Sequence, residues 1–149
     1  MEQTTLFLLV LCLALGAHIL SAEKCNLTGR WKNDLGSNMT ISAVNEKGNF
    51  TGLYTTSVED TPHKVPPSPL LGFQNITKEI HQPTFGFTVK WIDINSISVF
   101  TGQCFVDKNG TEVLKTMWLL RSDAGNIKND WKATRVGTNE FTRLEPQME

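Results

Sequence analysis

The side chains that give this chain a chemistry are aromatic rings set among hydroxyls and amides. Four tryptophans, Trp31, Trp91, Trp118 and Trp131, each sit in or beside a short strand-like run. Three of them have polar company: Thr116 before Trp118, Ser96 and Ser98 after Trp91, and Thr134 and Asn139 after Trp131. Indole faces supply apolar walls, and hydroxyls and amides supply oriented hydrogen bonds, which together are the materials of a concave small-molecule site. The same tryptophans would serve equally well as core.

Catalytic groups at useful spacing are missing. Past the first 22 residues the histidines are His63, in a proline-rich stretch, and His81, just before Gln82-Pro83. The sequence has no Gly-x-Ser-x-Gly, no His-Glu-x-x-His, no Walker A and no Gly-x-Gly-x-x-Gly. No His/Cys cluster has zinc spacing. Asp34 and Asp130 lie beside turns and read as capping or solvated carboxylates rather than acids. No catalytic residue, metal ligand or cofactor is therefore expected, and binding is the favoured class over an enzyme.

Residues 6–15 are almost wholly apolar and are followed by Gly16 and then Ser21-Ala22. This is the pattern of a secretory signal peptide, too short to span a bilayer, although its first residues carry Glu2 and no Lys or Arg. Residues 1–22 are expected to be removed, leaving 23–149 as one domain. No second apolar stretch of membrane length follows, so an extracellular protein is expected. Glu2 is the only charged side chain lost, so 14 Lys and Arg then face 14 Asp and Glu. That balance gives no electrostatic case for nucleic acid or an anionic membrane as partner. Cys12 leaves with the signal, and Cys25 and Cys104 are the natural pair for one bridge in an oxidising compartment. Loop entropy gives such a bridge about 4 kcal/mol. Five Asn-x-Thr sequons, at Asn26, Asn38, Asn49, Asn75 and Asn109, point to a glycoprotein.

The elements that must position these groups are short and β-type. Runs at 29–33, 38–44, 50–57, 70–77, 84–91, 96–106, 112–121 and 132–144 are separated by turn residues, with no sustained helical periodicity. Asp107-Lys-Asn-Gly110 is a hairpin signal, because Asn-Gly readily takes positive φ. The pattern predicts an eight-stranded antiparallel up-and-down barrel, or else a sandwich. Residues 59–68, with Pro62, Pro66 and Pro67 and with Pro69 just beyond, are expected to form a loop over one end. Strand parity places Tyr54, Thr56 and Val58 on one face, Ser96, Ser98 and Phe100 on another, and Trp118 with Leu120 on a third. Such faces suit the inside of a ligand cup, or equally a wet outer wall.

Long segments of the chain resemble the avidin family: Lys24-Cys-Asn-Leu-Thr-Gly-Arg-Trp-Lys-Asn-Asp-Leu-Gly-Ser-Asn-Met-Thr-Ile41, Gln82-Pro-Thr-Phe-Gly-Phe-Thr-Val89, Val99-Phe-Thr-Gly-Gln-Cys104, Glu112-Val-Leu-Lys-Thr-Met-Trp-Leu-Leu-Arg121 and Asp130-Trp-Lys-Ala-Thr-Arg-Val-Gly137. The resemblance implies an all-β barrel that binds biotin at one end, as a homotetramer, and supports the Cys25–Cys104 pairing. It implies that Asn33, Ser37 and Tyr54 donate to the ureido oxygen, and that Thr56 and Asn139 accept from the ureido N–H groups. Ser98 would approach the ring sulfur, where the family commonly has Thr. Trp91, Phe100 and Trp118 would wall the bicyclic ring, with Leu35 and Leu120 adding apolar area and Trp131 covering the site of a neighbouring subunit. Asn33, Leu35 and Ser37 share a parity, as the carried-over site requires.

Departures from the family pattern gather at the valerate end. Val58 is followed by Glu59-Asp60-Thr61 in place of small uncharged residues. Asp93 and Ile94 stand where the family has an aromatic and a serine, leaving Ser96 as a donor to the biotin carboxylate. These changes imply weaker binding or faster release. Met117, Val136 and Thr138 fall at implied subunit contacts, where Thr138 replaces an apolar residue. A hydroxyl left unpartnered there would cost about 1–3 kcal/mol. Two other readings compete: a lipocalin-like carrier of another small hydrophobic ligand, and a glycosylated interaction module with a decayed pocket.

Overall fold

Inside-outside alternation organises the whole chain. Trp31 and Asn33, Met39 and Ile41, Phe50 and Tyr54, Phe85, Phe87 and Val89, Ser98 and Phe100, Leu114 and Thr116, and Asn139 and Phe141 are buried. Their neighbours on the same strands are half or fully exposed. A period of two can be buried on one side if the sheet closes on itself or is covered by a second layer, and among the described residues no long helix supplies such a layer.

A computed structural model describes residues 23–58 and 64–144. It resolves the choice in favour of closure. Strands β1 (Gly29–Asn33), β2 (Asn38–Ile41), β3 (Asn49–Thr55), β4 (Ser68–Gln74), β5 (Thr84–Lys90), β6 (Ser96–Val106), β7 (Glu112–Ser122) and β8 (Thr134–Arg143) form one closed barrel in chain order. Each strand runs antiparallel to the next, and β8 pairs back onto β1 with Asn33 opposite Phe141. The expected leader and residues 59–63 lie outside the described residues.

Several local expectations need correction. The second strand stops at Ile41, not at residue 44, the third at Thr55, which leaves Thr56 and Val58 beyond the strand whose parity they were expected to share with Tyr54, and the fourth at Gln74, not at residue 77. The proline-rich loop ends earlier than expected, because β4 begins at Ser68 and includes Pro69, paired with Leu53. Pro69 is the second residue of its strand, where a missing N–H costs at most one ladder bond. A 3-10 helix, Ile127–Lys132, precedes β8. Its six residues are too few to leave a periodic signal in sequence.

Two turns at one end are built alike. Asn45 Oδ1 accepts from Lys47 N and Asn49 N, and Asp107 Oδ1 accepts from Asn109 N and Thr111 N. Each turn is completed by a glycine in the left-handed region, Gly48 at φ 85° and Gly110 at φ 76°. Asn109 itself keeps a negative φ, so the hairpin expected there forms through the Asp107 side chain and Gly110 instead.

The same end is sealed. Trp31 is fully buried and donates its indole N–H to Leu27 O at 2.8 Å. The Arg143 guanidinium lies 4.2 Å from the Trp31 ring, donates to Thr28 O at 2.8 Å and also donates to Asn26 O. Its Nε pairs with Glu112 at 2.8 Å, and Glu112 also accepts from Asn26 N at 2.7 Å. Cys25 and Cys104 form a disulfide with 5.8 Å between Cα atoms, fastening the segment before β1 to β6. Trp31 is thus core, as its fully buried place at the barrel floor requires.

Removing the guanidinium would leave two backbone carbonyls and a partly buried carboxylate without their partner. We expect Arg143→Ala to lower stability by about 2–4 kcal/mol, measured as a shift in urea midpoint at constant slope.

Candidate ligand site at the open end of the barrel

The opposite end carries the connections β1–β2, β3–β4, β5–β6 and β7–β8, and the expected site residues converge there. Asn33 is the last residue of β1, and its side chain is buried below the β1–β2 turn. Its Oδ1 accepts from Leu35 N at 3.0 Å and from Ser37 N at 2.9 Å. Its Nδ2 donates to Tyr54 Oη at 3.0 Å. A flipped amide would set its NH2 against two N–H donors, so the network fixes Asn33 as a donor toward the interior.

Asn139, on β8, is held in the opposite sense. Its Nδ2 donates to Asp34 Oδ1 at 2.8 Å, and that oxygen also accepts from Glu140 N at 3.3 Å. The Asn139 carbonyl oxygen is therefore the atom left to accept from a ligand. Asp34 is a site residue that sequence reasoning set aside as a turn carboxylate. Only the closure of β8 onto β1 brings it to Asn139. Thr116, legible in sequence only as polar company for Trp118, is buried and donates to the Asn139 backbone oxygen at 2.8 Å.

Ser37 is buried in the same cluster. Its Oγ accepts from Ser57 N at 2.9 Å and lies 3.2 Å from Ser57 Oγ. The Ser57 hydroxyl donates to Leu35 O at 2.7 Å, which leaves Ser37 its own hydrogen to donate. Tyr54 sits between Asn33 and Ser37, and burial pushes its phenol up to about 12 despite the hydrogen bonds from both. The phenol thus remains a neutral O–H donor throughout the physiological range. Ser98 accepts from Trp91 Nε1 at 2.9 Å and keeps its hydroxyl hydrogen. Thr56 exchanges hydrogen bonds with Val58, donating to its carbonyl at 3.0 Å and accepting from its N–H at 3.1 Å.

Aromatic rings stand around this polar group. Tyr54 meets Trp91 edge-on at 5.5 Å between centroids and Phe100 at 5.7 Å, and Phe100 stacks on Phe87 at 4.6 Å. Trp118 is half-buried opposite Gly137, where an added Cβ would come within 2.3 Å of the indole. Gly137 is thus needed for the ring to lie against β8.

Not every expected residue enters the cup. Leu35 and Ser37 belong to the β1–β2 turn, not to a strand, so their shared parity with Asn33 was not a strand argument. Leu35 and Val58 are more than half exposed at the rim, and Ser96 and Leu120 are half-buried. Trp131 lies on the 3-10 helix, outside its own barrel, with 82% of its surface exposed.

A sealed eight-stranded antiparallel barrel with a buried cluster of donors and one oriented acceptor defines a small-molecule cup. The Avidin family model matches residues 21–144. The chain is 62% identical to avidin of Gallus gallus over 144 residues, covering 97% of this chain and 95% of that protein. It is 63% identical to avidin-related protein 4/5 of Gallus gallus over 139 residues, 93% of this chain and 91% of that one. Among solved structures, Xenavidin superposes with a TM-score of 0.77 at 52% identity, covering 82% of this chain and 100% of that one. A biotin-binding protein from chicken gives 0.78 at 53% identity, covering 83% of this chain and 100% of that one. The chain belongs to the avidin family.

Tyr54 is the only tyrosine in the chain, so its titration is directly visible. We expect tyrosinate absorbance to rise with a midpoint of about 12 in the folded protein and about 10 in denaturant. With the folded value raised, the stability tied to Tyr54 is complete below the unfolded value and lost as pH climbs through the folded one.

Proposed function

We propose that this chain is a secreted, glycosylated binding protein that holds biotin in the open end of its barrel and assembles as a homotetramer. The observation that carries this reading is the opposed orientation of two amides. Asn33, bonded to buried Tyr54, is fixed as a donor, and Asn139, bonded to Asp34, is fixed as an acceptor. A cyclic urea needs donors at its oxygen and acceptors at its N–H groups. Asn33, Ser37 and Tyr54 serve the first need, and Asn139 and Thr56 the second. Three donors on one oxygen favour the charge-separated form of the urea, whose hydrogen bonds are the stronger kind. Ser98 faces the ring sulfur, Trp91, Phe100, Trp118 and Leu120 wall the bicycle, and Leu35, Val58 and Ser96 border the tail.

A lipocalin-like carrier of a hydrophobic ligand would want a deep apolar cavity. Here Phe50, Phe87, Phe100 and Phe141 fill the interior, and the open end is polar. The reading is of a binding protein without catalytic role or cofactor.

The outer wall supports assembly. Leu71, Phe73, Val99, Met117, Leu119 and Val136 point outward and are each at least 41% exposed. In register, Val99 faces Leu119 and Leu119 faces Val136, so these three form one continuous apolar row across β6, β7 and β8. A row of this kind is the signature of a surface covered by a partner. Thr138, paired with Met117, is exposed beside the same patch. Export is consistent with the Cys25–Cys104 bridge, and among the described residues no helix is long and apolar enough to cross a membrane. Asn26, Asn38 and Asn109 are exposed and open to glycans, Asn75 is exposed but its Nδ2 donates to Thr84 Oγ1 at 2.8 Å, and Asn49 is half-buried with its side-chain oxygen enclosed.

At the rim, Asp93 is exposed in the left-handed region at φ 62° and Ile94 is 42% exposed. An acidic group and an apolar one thus border the tail region where the family pattern supplies a serine. Calorimetric titration of the secreted protein, with native mass measured alongside, should give one biotin per chain in a tetramer. Absence of binding heat would refute the reading. Biotin should leave faster than from avidin of Gallus gallus in the same assay, and an equal or slower release would refute the role given to the rim. Asp34→Ala frees the Asn139 amide to rotate. It should weaken biotin roughly 10- to 100-fold, the scale of one hydrogen bond to a charged group.

A further inference from the structure

The segment that carries Trp131 is held without any buried side chain. No residue of the 3-10 helix Ile127–Lys132 is buried, and Ile127 is 90% exposed. A segment with no buried side chain of its own leans on polar ties to keep its place.

Two of those ties come from one side chain. Arg121, on β7, donates from Nη2 to Asp130 Oδ1 at 2.5 Å and from Nη1 to Thr134 Oγ1 at 3.2 Å. Its two acceptors flank Trp131 in sequence, one immediately before it and one three positions after. Around this fork the backbone is pinned: Ser122 N donates to Ala133 O at 2.9 Å, and Asn126 caps the helix by accepting from Lys128 N at 3.0 Å. Farther along, Asp123 Oδ2 accepts from Asn95 Nδ2 at 2.7 Å, which ties this connection to the β5–β6 turn of the same mouth.

We propose that Arg121 is a positioning residue for Trp131, its planar fork setting the angle at which the indole is offered to the neighbouring subunit's cup. This rests on the reading of Trp131 as part of a neighbour's biotin site. Arg121 follows Leu120, which borders the protomer's own cup. One β7 terminus therefore lines one site and aims the cover of another. A lysine would keep the charge but lose the fork, so it cannot engage both acceptors in this geometry.

The test compares biotin release from Arg121→Gln, Arg121→Lys, Asp130→Asn, Trp131→Ala and the double variant Arg121→Gln/Trp131→Ala, each confirmed as a tetramer by native mass. Arg121→Gln and Asp130→Asn should release biotin roughly two- to five-fold faster, the scale of one exposed ion pair. Arg121→Lys should fall between these variants and the parent. The double variant should release no faster than Trp131→Ala alone, since the fork then has no indole to aim. Release from the parent should quicken with added salt, and Arg121→Gln should lose that dependence. If Trp131→Ala accelerates release but Arg121→Gln does not, or if the two effects add, the positioning role is wrong. If Trp131→Ala itself changes nothing, the trans reading fails and the positioning role falls with it.

Discussion

The side-chain amide of Asn33 is the interaction on which the rest of the site depends. One oxygen closes the β1–β2 turn by accepting two backbone N–H groups, and one nitrogen steers the phenol of Tyr54. The turn places Ser37 and brings Leu35 to the rim, and Ser37 in turn anchors Ser57, just past the end of the neighbouring β3. A change at this amide would release a turn, a phenol and a loop together. Buried polar networks of this kind are costly when broken and specific when complete.

Much of this was legible in the residues. Alternation within short runs and the turn residues between them foretold eight strands, and all eight of their starts fall within two residues of the structure. The polar cup was legible in part. Tyr54, Ser98 and Phe100 lie on true strands, so their parity carried information. Leu35 and Ser37 matched in parity by coincidence of counting, since both sit in a turn. Asp34 was misread because its importance is non-local: nothing near it in sequence indicates that Asn139 will arrive beside it. The 3-10 helix was too short to leave a pattern, and Pro69 was read by its general aversion to strands rather than by its place at a strand's end.

The two ends of the barrel solve different problems with the same fold. The closed end is a lid of fixed parts, in which Arg143 covers Trp31 and the disulfide fastens the chain before β1. The open end is lined by hydroxyls and amides that are oriented but not all satisfied, with a donor left over on Ser98. An end built for stability uses its polar atoms on itself. An end built for binding keeps some in reserve, at a cost in stability that a ligand can offset.

The contact between Asp34 and Asn139 joins residues 105 positions apart, across the seam where β8 meets β1. The oriented acceptor that Asn139 supplies therefore exists only once the last strand has docked on the first. A chain with that seam open has Asn33 and Tyr54 but lacks the oriented Asn139 amide. Occupancy and closure are in this way linked equilibria. A molecule bound across the seam adds its binding free energy to the folded state alone, and the concentration of free ligand becomes a variable of the barrel's stability.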